Sequence, residues 1–296
     1  MTLVDPFGRQ ITGLRMALTP RCNLRCIYCH HEGEVCPERE ISRDMAANVV
    51  KAASQMGIRV LKITGGEPLM RGDLEDIVAS CSSLPSPPDI SITTNGILLA
   101  ERAGSLAEAG LQRANISLDS LNPETYRAIT RGREGDLERV LAGVDAALEA
   151  GLGPVKLNMV LLQENQDEVY QMMDLAREKG LVLQLIELLD LKGHGLGGDM
   201  AGIEQDLAAK AEMVRTREMH RRKKYFVSGA EVEVVRPMDN TEFCAHCHRL
   251  RVTSDGKLKP CLLRSDNLVE IGTKDVEEIK ARLQLATARR APYFFH

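Results

Sequence analysis

The chain has 296 residues, with 38 basic against 42 acidic side chains and a formal net charge of −4, which excludes the broad cationic footprint of general nucleic-acid binders. Aromatic residues make up 3% and Trp is absent, so a base-stacking platform is excluded too. The length suffices for a core without disulfides, and neither a charged-then-apolar leader nor an apolar run long enough to span a bilayer is present.

In chain order, β-rich runs fall at 14–19, 60–64, 90–94, 114–118, 155–161 and 182–188. Amphipathic segments separate them. The segment 42–56 opens on Ser42 as candidate N-cap and carries Met45, Val49, Ala52, Ala53 and Met56 at helical spacing, and 135–150 and 165–179 behave alike. Strand alternating with helix predicts an α/β sheet with right-handed crossovers, and six such units suit a curved partial barrel or an open sheet. Beyond it, Gly193, Gly195, Gly197 and Gly198 suggest a connection, with a boundary near Leu191 that divides the chain into 1–191 and 192–296. Segment 203–224 is expected to be a polar helix ending in a basic run, Arg221 to Lys224, which could contact phosphate but reads first as a solvated helix end. Strand signals at 230–235 and 249–253 and a helix at 275–287 complete the chain.

Eight cysteines are the anomaly in this composition. A cytoplasmic setting is expected, where clustered thiols mean metal or catalysis. Cys22, Cys26 and Cys29 read C-x3-C-x2-C, and Cys244, Cys247 and Cys261 read C-x2-C-x13-C, while Cys36 and Cys81 are left over as spare thiols. Three thiolates can ligate three irons of a cubane cluster and leave the fourth iron open, whereas structural zinc closes its tetrahedron with a fourth ligand. His246 or His248 could supply that fourth ligand to the second group, so a zinc ribbon stays open on spacing alone.

In a parallel α/β sheet the functional loops follow the carboxyl ends of the strands. The first cysteine loop follows the first run, Gly65-Gly66-Glu67-Pro68 the second, Thr93-Thr94-Asn95-Gly96 the third and Ser117-Leu118-Asp119-Ser120 the fourth. Lys156 and Asn158 lie on the fifth, and Glu187 near the end of the sixth is as readily a paired structural carboxylate as a ligand contact. Thr93 and Ser117 also suit plain strand ends. Arg15, Lys62 and Lys156 on strands, with Arg249 and Arg251 two apart and hence on one face, suit an anion carrying several charges.

CNLRCIYC with GGEP downstream resembles the radical S-adenosylmethionine superfamily. TTNG, NISLDSL, VKLNMV and FCAHCHRLRVTSDGKLKPCL are similar to its GTP 3',8-cyclase branch, which acts first in molybdenum cofactor biosynthesis; the likeness runs over roughly residues 11–270 and is of archaeal type. The resemblance implies a partial (βα)6 TIM-like barrel closed by a C-terminal extension, and conversion of GTP to (8S)-3',8-cyclo-7,8-dihydroguanosine 5'-triphosphate. It implies two [4Fe-4S] clusters, one on Cys22, Cys26 and Cys29 with S-adenosylmethionine at its open iron, the other on Cys244, Cys247 and Cys261. Tyr28, Gly66, Glu67 and Ser117 would contact S-adenosylmethionine. Arg15, Lys62, Thr93, Lys156, Arg249 and Arg251 would contact GTP, with Arg249 and Arg251 also in the catalytic role. A flavodoxin- or ferredoxin-like electron donor, product transfer to cyclic pyranopterin monophosphate synthase, a monomer or homodimer, and neither nucleic acid nor membrane as partner are likewise implied.

Two departures from the branch stand out: Leu188 and Leu189 replace a common Met, and the chain ends Ala291-Pro292-Tyr293-Phe294-Phe295-His296 in place of a Gly-Gly tail. A radical enzyme that modifies a peptide or another small molecule is the competing activity. A non-catalytic zinc- or iron-binding protein is the competing class.

Overall fold

The computed structural model describes residues 2–34, 39–190, 193, 195–238 and 240–293. Six strands alternate with helices as the periodicity predicts: β1 (Gly13–Ala17), β2 (Val60–Thr64), β3 (Asp89–Thr94), β4 (Arg113–Ser117), β5 (Lys156–Leu161) and β6 (Val182–Glu187). The intervening helices are α1 (Arg43–Gln55), α2 (Leu74–Ser82), α3 (Leu99–Glu108), α4 (Pro123–Thr130), α5 (Asp136–Glu149) and α6 (Val169–Glu178). Ser42 caps α1, its Oγ accepting from the Met45 N–H at 3.3 Å.

After β6 come α7 (Met200–Lys210), β7 (Met213–Thr216), β8 (Lys223–Val227), β9 (Ala230–Val235), α8 (Thr241–Ala245), β10 (Arg249–Val252), β11 (Lys257–Lys259), β12 (Val269–Glu270) and α9 (Val276–Ala288). The expected helix over 203–224 is therefore corrected. It stops at Lys210, and of the basic run Arg221 and Arg222 precede the β8 strand while Lys223 and Lys224 open it, in an antiparallel hairpin with β7. The physical reason is the alternation in KKYFV: Tyr225 and Val227 are buried, and the Tyr225 hydroxyl donates to Glu204 at 2.8 Å. The boundary residue Leu191 and the thiol Cys36 lie outside the described residues.

The strands form one sheet in the order β12-β11-β10-β1-β2-β3-β4-β5-β6-β9-β8-β7. From β10 through β9 every pairing is parallel, so the C-terminal part extends both edges of the six-stranded core. Residues of β1 through β6 and of β9 and β10 line a single cavity, which requires the sheet to curl into a partial barrel. Ile63, Ile92, Ile116, Leu157 and Leu183 pack the outer face of these strands with Val49, Ile77, Leu106, Val144 and Met172 from the helices. No described helix is long and apolar enough to cross a membrane.

One glycine fixes how close a helix comes to a functional loop. A Cβ on Gly143 of α5 would stand 2.6 Å from the Gly96 carbonyl oxygen and 3.1 Å from the Leu99 Cβ. Alanine normally favours a helix over glycine by about 1 kcal/mol. Here overpacking reverses the sign: Gly143→Ala is expected to lower stability by about 1–3 kcal/mol in urea unfolding, and a more stable variant would refute the close approach.

Candidate active site

The cavity inside the curled sheet has a volume of about 720 Å³ and runs from the loop after β1 to the loop before β10. Cys22, Cys26 and Cys29 enter it from one side and Cys244, Cys247 and Cys261 from the other. The first loop is strapped down by backbone bonds from Arg25 N–H to the Thr130 carbonyl at 3.0 Å and from Ile27 N–H to Ile129 at 2.9 Å, both at the end of α4. Leu24 is buried as its apolar anchor. The second loop turns through a Cys247 N–H bond to the Cys244 carbonyl at 3.1 Å. Two guanidiniums grip its carbonyls: Arg9 holds Cys244 at 2.9 Å and Arg290 holds Cys247 at 2.8 Å. Asp5 pairs with both, at 2.6 Å and 2.9 Å.

The GGEP segment owes its glycines to backbone contact with the cysteine loop. Gly66 N–H donates to the Thr19 carbonyl at 2.7 Å and Glu67 N–H to Arg21 at 2.7 Å. A Cβ on Gly65 would lie 2.5 Å from the Thr19 oxygen, and one on Gly66 would overlap the Arg21 carbonyl. Gly66 faces the cavity, whereas the Glu67 side chain lies outside its lining. Its carboxylate is fully buried, accepting from Leu69 N–H at 2.9 Å, Thr94 Oγ1 at 2.8 Å and Asn95 N–H at 2.7 Å. Burial pushes it up to about 7 against those donors. It ties the GGEP loop to the TTNG loop.

Tyr28 and Ser117 line the cavity, and Tyr28 donates to Asp119 Oδ2 at 2.6 Å. Asp119 also accepts from Val160 N–H at 2.9 Å, and burial raises its carboxyl to about 6. Thr93 and Asn158 lie on the same wall, each with a buried oxygen lacking a protein partner. Glu187 proves to be a paired carboxylate, with Arg236 at 3.4 Å and Met238 N–H at 3.3 Å. Cys81 is buried in the core, where desolvation pushes its thiol up to about 12.

All the expected cations except one are cross-strand neighbours around β1. Arg15 sits between Lys62 on β2 and Arg251 on β10 in register, and Arg249 follows on the same face. Like charges in register repel. Burial first, then the Arg249 and Arg15 guanidiniums, push the Lys62 ammonium well below its usual range. Glu32 relieves part of this: its carboxylate pairs with Arg15 and with Arg251 at 3.0 Å and accepts from Thr64 Oγ1 at 3.0 Å. Burial would raise Glu32, but the two guanidiniums hold it down to about 2. Lys156, apart on β5, pairs at 2.5 Å with Glu233, which is fully buried and also holds Arg217 and Arg222 at 3.0 Å. Sequence reasoning missed Glu32, Glu233 and His220. Only Glu32, three residues beyond Cys29, sits near a motif.

The thiols suit iron-sulfur clusters. Cys22 accepts from Leu24 N–H at 3.4 Å and Asn95 Nδ2 at 3.9 Å, and Cys29 from His31 N–H at 3.4 Å, contacts that favour the thiolate against burial, which pushes the Cys22 and Cys26 thiols up. Among the described residues no group of three or more His, Cys, Asp and Glu side chains is set to hold a metal ion. His246 engages its Nδ1 with the Glu242 carbonyl at 3.0 Å.

Comparison with known proteins agrees with this layout. The Radical SAM superfamily model matches residues 16–176 and Molybdenum Cofactor Synthesis C matches 182–295. A probable GTP 3',8-cyclase of Methanosarcina mazei is 52% identical, covering 99% of this chain and 90% of its own length. One from Archaeoglobus fulgidus is 46% identical over 99% of both chains. Among solved structures, Streptococcus suis SuiB bound to precursor peptide SuiA aligns at TM-score 0.69 and 13% identity, over 94% of this chain and 68% of that one. Native anSMEcpe with bound AdoMet aligns at 0.56 and 16% identity, over 90% and 79%. These two share the fold alone, whereas the archaeal relatives fix the family: the chain belongs to the GTP 3',8-cyclases of the radical SAM superfamily.

Proposed function

We propose that this chain converts GTP to (8S)-3',8-cyclo-7,8-dihydroguanosine 5'-triphosphate, the first step of molybdenum cofactor biosynthesis. The observation that carries the reading is the pair of three-cysteine loops, from opposite ends of the chain, facing one cavity with a row of cations between them. Cys22, Cys26 and Cys29 would hold one [4Fe-4S] cluster and Cys244, Cys247 and Cys261 the other. With S-adenosylmethionine bound, the first cluster supplies one-electron cleavage of a carbon-sulfur bond, the source of a radical that can take a ribose hydrogen.

The protein's own part is to bind, orient and exclude water. Gly66, Ser117 and Tyr28 form the wall next to the first cluster, with Tyr28 oriented by Asp119. Arg15, Lys62, Thr93, Arg249 and Arg251 line the cavity and would form the nucleotide wall, with Lys156 held behind it by Glu233, and a triphosphate would offset the repulsion within it. Arg249 and Arg251 stand nearest the second cysteine loop by sequence and hold the substrate at the reacting centre. Peptide modification is the weaker reading, because a peptide has no need of so many cations on one wall.

Residues 1–191 would form the radical-generating unit and 192–296 the unit carrying the second cluster. The cytoplasm, a flavodoxin- or ferredoxin-like electron donor, delivery of product to cyclic pyranopterin monophosphate synthase, and a monomer or homodimer complete the proposal.

Incubation of anaerobically prepared protein with GTP, S-adenosylmethionine and a strong reductant is expected to yield 5'-deoxyadenosine and the cyclised triphosphate by mass analysis. Release of 5'-deoxyadenosine without the cyclised nucleotide would count against GTP as substrate. The same preparation is expected to carry about eight irons, and Cys244→Ala about four; a zinc equivalent in place of the second four irons would sink that cluster. Arg251→Ala leaves Glu32 facing Arg15 alone and is expected to weaken GTP binding roughly 10- to 100-fold with iron content intact. Unchanged affinity would remove Arg251 from the site.

A further inference from the structure

Arg222 belongs to the basic run expected to be solvated, yet its side chain is 11% exposed and lines the cavity. Its neighbours Arg221 and Lys223 are exposed. The guanidinium is held from two sides. One Nη donates to Glu233 at 3.0 Å, and the other meets His220 Nδ1 at 2.8 Å. A guanidinium has only donors, so His220 Nδ1 must carry the lone pair and the ring is neutral. That ring is buried and stacked on Phe243 at 3.8 Å, and the His220 N–H bonds the His246 carbonyl at 3.0 Å, which locks the group to the second cysteine loop. Such fixation from both ends is what a planar fork needs to present a defined edge to a ligand.

The charge count at this point of the wall is not closed by the protein. Glu233 faces the largely buried Lys156 and Arg222 together with Arg217, whose side chain is 41% exposed. Arg222 also adds to the field at Lys62 and Arg249. Its Nε is buried with no hydrogen-bond partner. A buried excess of cations with an unmade donor is costly unless an anion completes it.

We infer that Arg222 is a further phosphate anchor for the nucleotide, held in place by Glu233 and His220 and acting beside Lys62 and Arg249. This rests on the GTP reading above and adds a contact to the phosphate chain in particular. A merely structural arginine would affect any ligand of the cavity alike, or the retention of iron. A phosphate anchor affects ligands according to their phosphates.

The test is equilibrium binding of GTP and of guanosine to the iron-loaded protein, without S-adenosylmethionine or reductant. Arg222→Gln is expected to weaken GTP roughly 10- to 100-fold and to change guanosine by less than about twofold. Unchanged GTP affinity, or an equal loss for both ligands with iron retained, overturns the assignment. Should the Gln variant lose iron, Arg222→Lys decides: the affinity ratio of GTP to guanosine must fall, because an ammonium keeps the charge but not the fork, and an unchanged ratio overturns the assignment. Failure of the wild-type protein to bind GTP would instead overturn the nucleotide reading itself.

Discussion

Arg251, Arg15 and Lys62 stand side by side on three adjacent parallel strands, a register that repulsion alone would oppose. The sheet tolerates it because the cations face a cavity and because Glu32 lies over two of them. Glu32 comes from the cysteine loop, so the counter-ion that steadies the row also fixes the path of the chain just past Cys29. A bound triphosphate would enter the same field and share those guanidiniums with Glu32. Charge at the substrate wall is thus coupled to the geometry of the first cysteine loop through one carboxylate. Burial, and after it the Arg249 and Arg15 guanidiniums, push the Lys62 ammonium well below its usual range.

Parallel topology explains how the two cysteine groups come to line opposite ends of one cavity although more than two hundred residues separate them. β10 adds to β1 in parallel, so the loop before β10 arrives at the opposite end of the sheet from the loop after β1, and the turn beyond β11 has to bring Cys261 back. The Arg9, Asp5 and Arg290 cluster completes this by tying the N-terminal segment and the end of α9 to the second loop. Lys259 adds a direct link: its buried ammonium donates to the Gly33 carbonyl of the first loop and to Ser265 at 3.3 Å. Position in this site is therefore set by long-range charged contacts as much as by the sheet.

Local signals made the core legible. Apolar period and turn residues place β1 through β6 within a residue or two, and the cysteine spacing and GGEP mark the loops that follow. The same kind of signal was misleading at Arg221 to Lys224, where a run of four cations hides the period-two burial of Tyr225 and Val227. Glu67 shows a different limit. A carboxylate inside a functional motif reads as a ligand contact, yet the fold saturates it with Thr94, Asn95 and Leu69. Glu32, Glu233 and His220 were illegible for the opposite reason: each acquires its role from a partner far along the chain, Arg251, Lys156 and Phe243 among them.

The unmade hydrogen bonds have a distribution that bears on function. Buried side-chain atoms without a partner occur at Arg15, His30, Thr93, Asn158, His220 and Arg222, all on the cavity wall, and elsewhere among the described residues at Tyr126 and Asn267. Each such group costs about 1–3 kcal/mol when left unsatisfied. Folding could have avoided this cost with apolar side chains, as it does on the outer face of the same strands. Concentrated at one place, the cost makes the ligand-free site a destabilised part of a well-packed molecule, and a ligand that supplies the missing partners stabilises the fold as it binds. The donors among them flank the cations, so a ligand rich in acceptor oxygens relieves both deficits together.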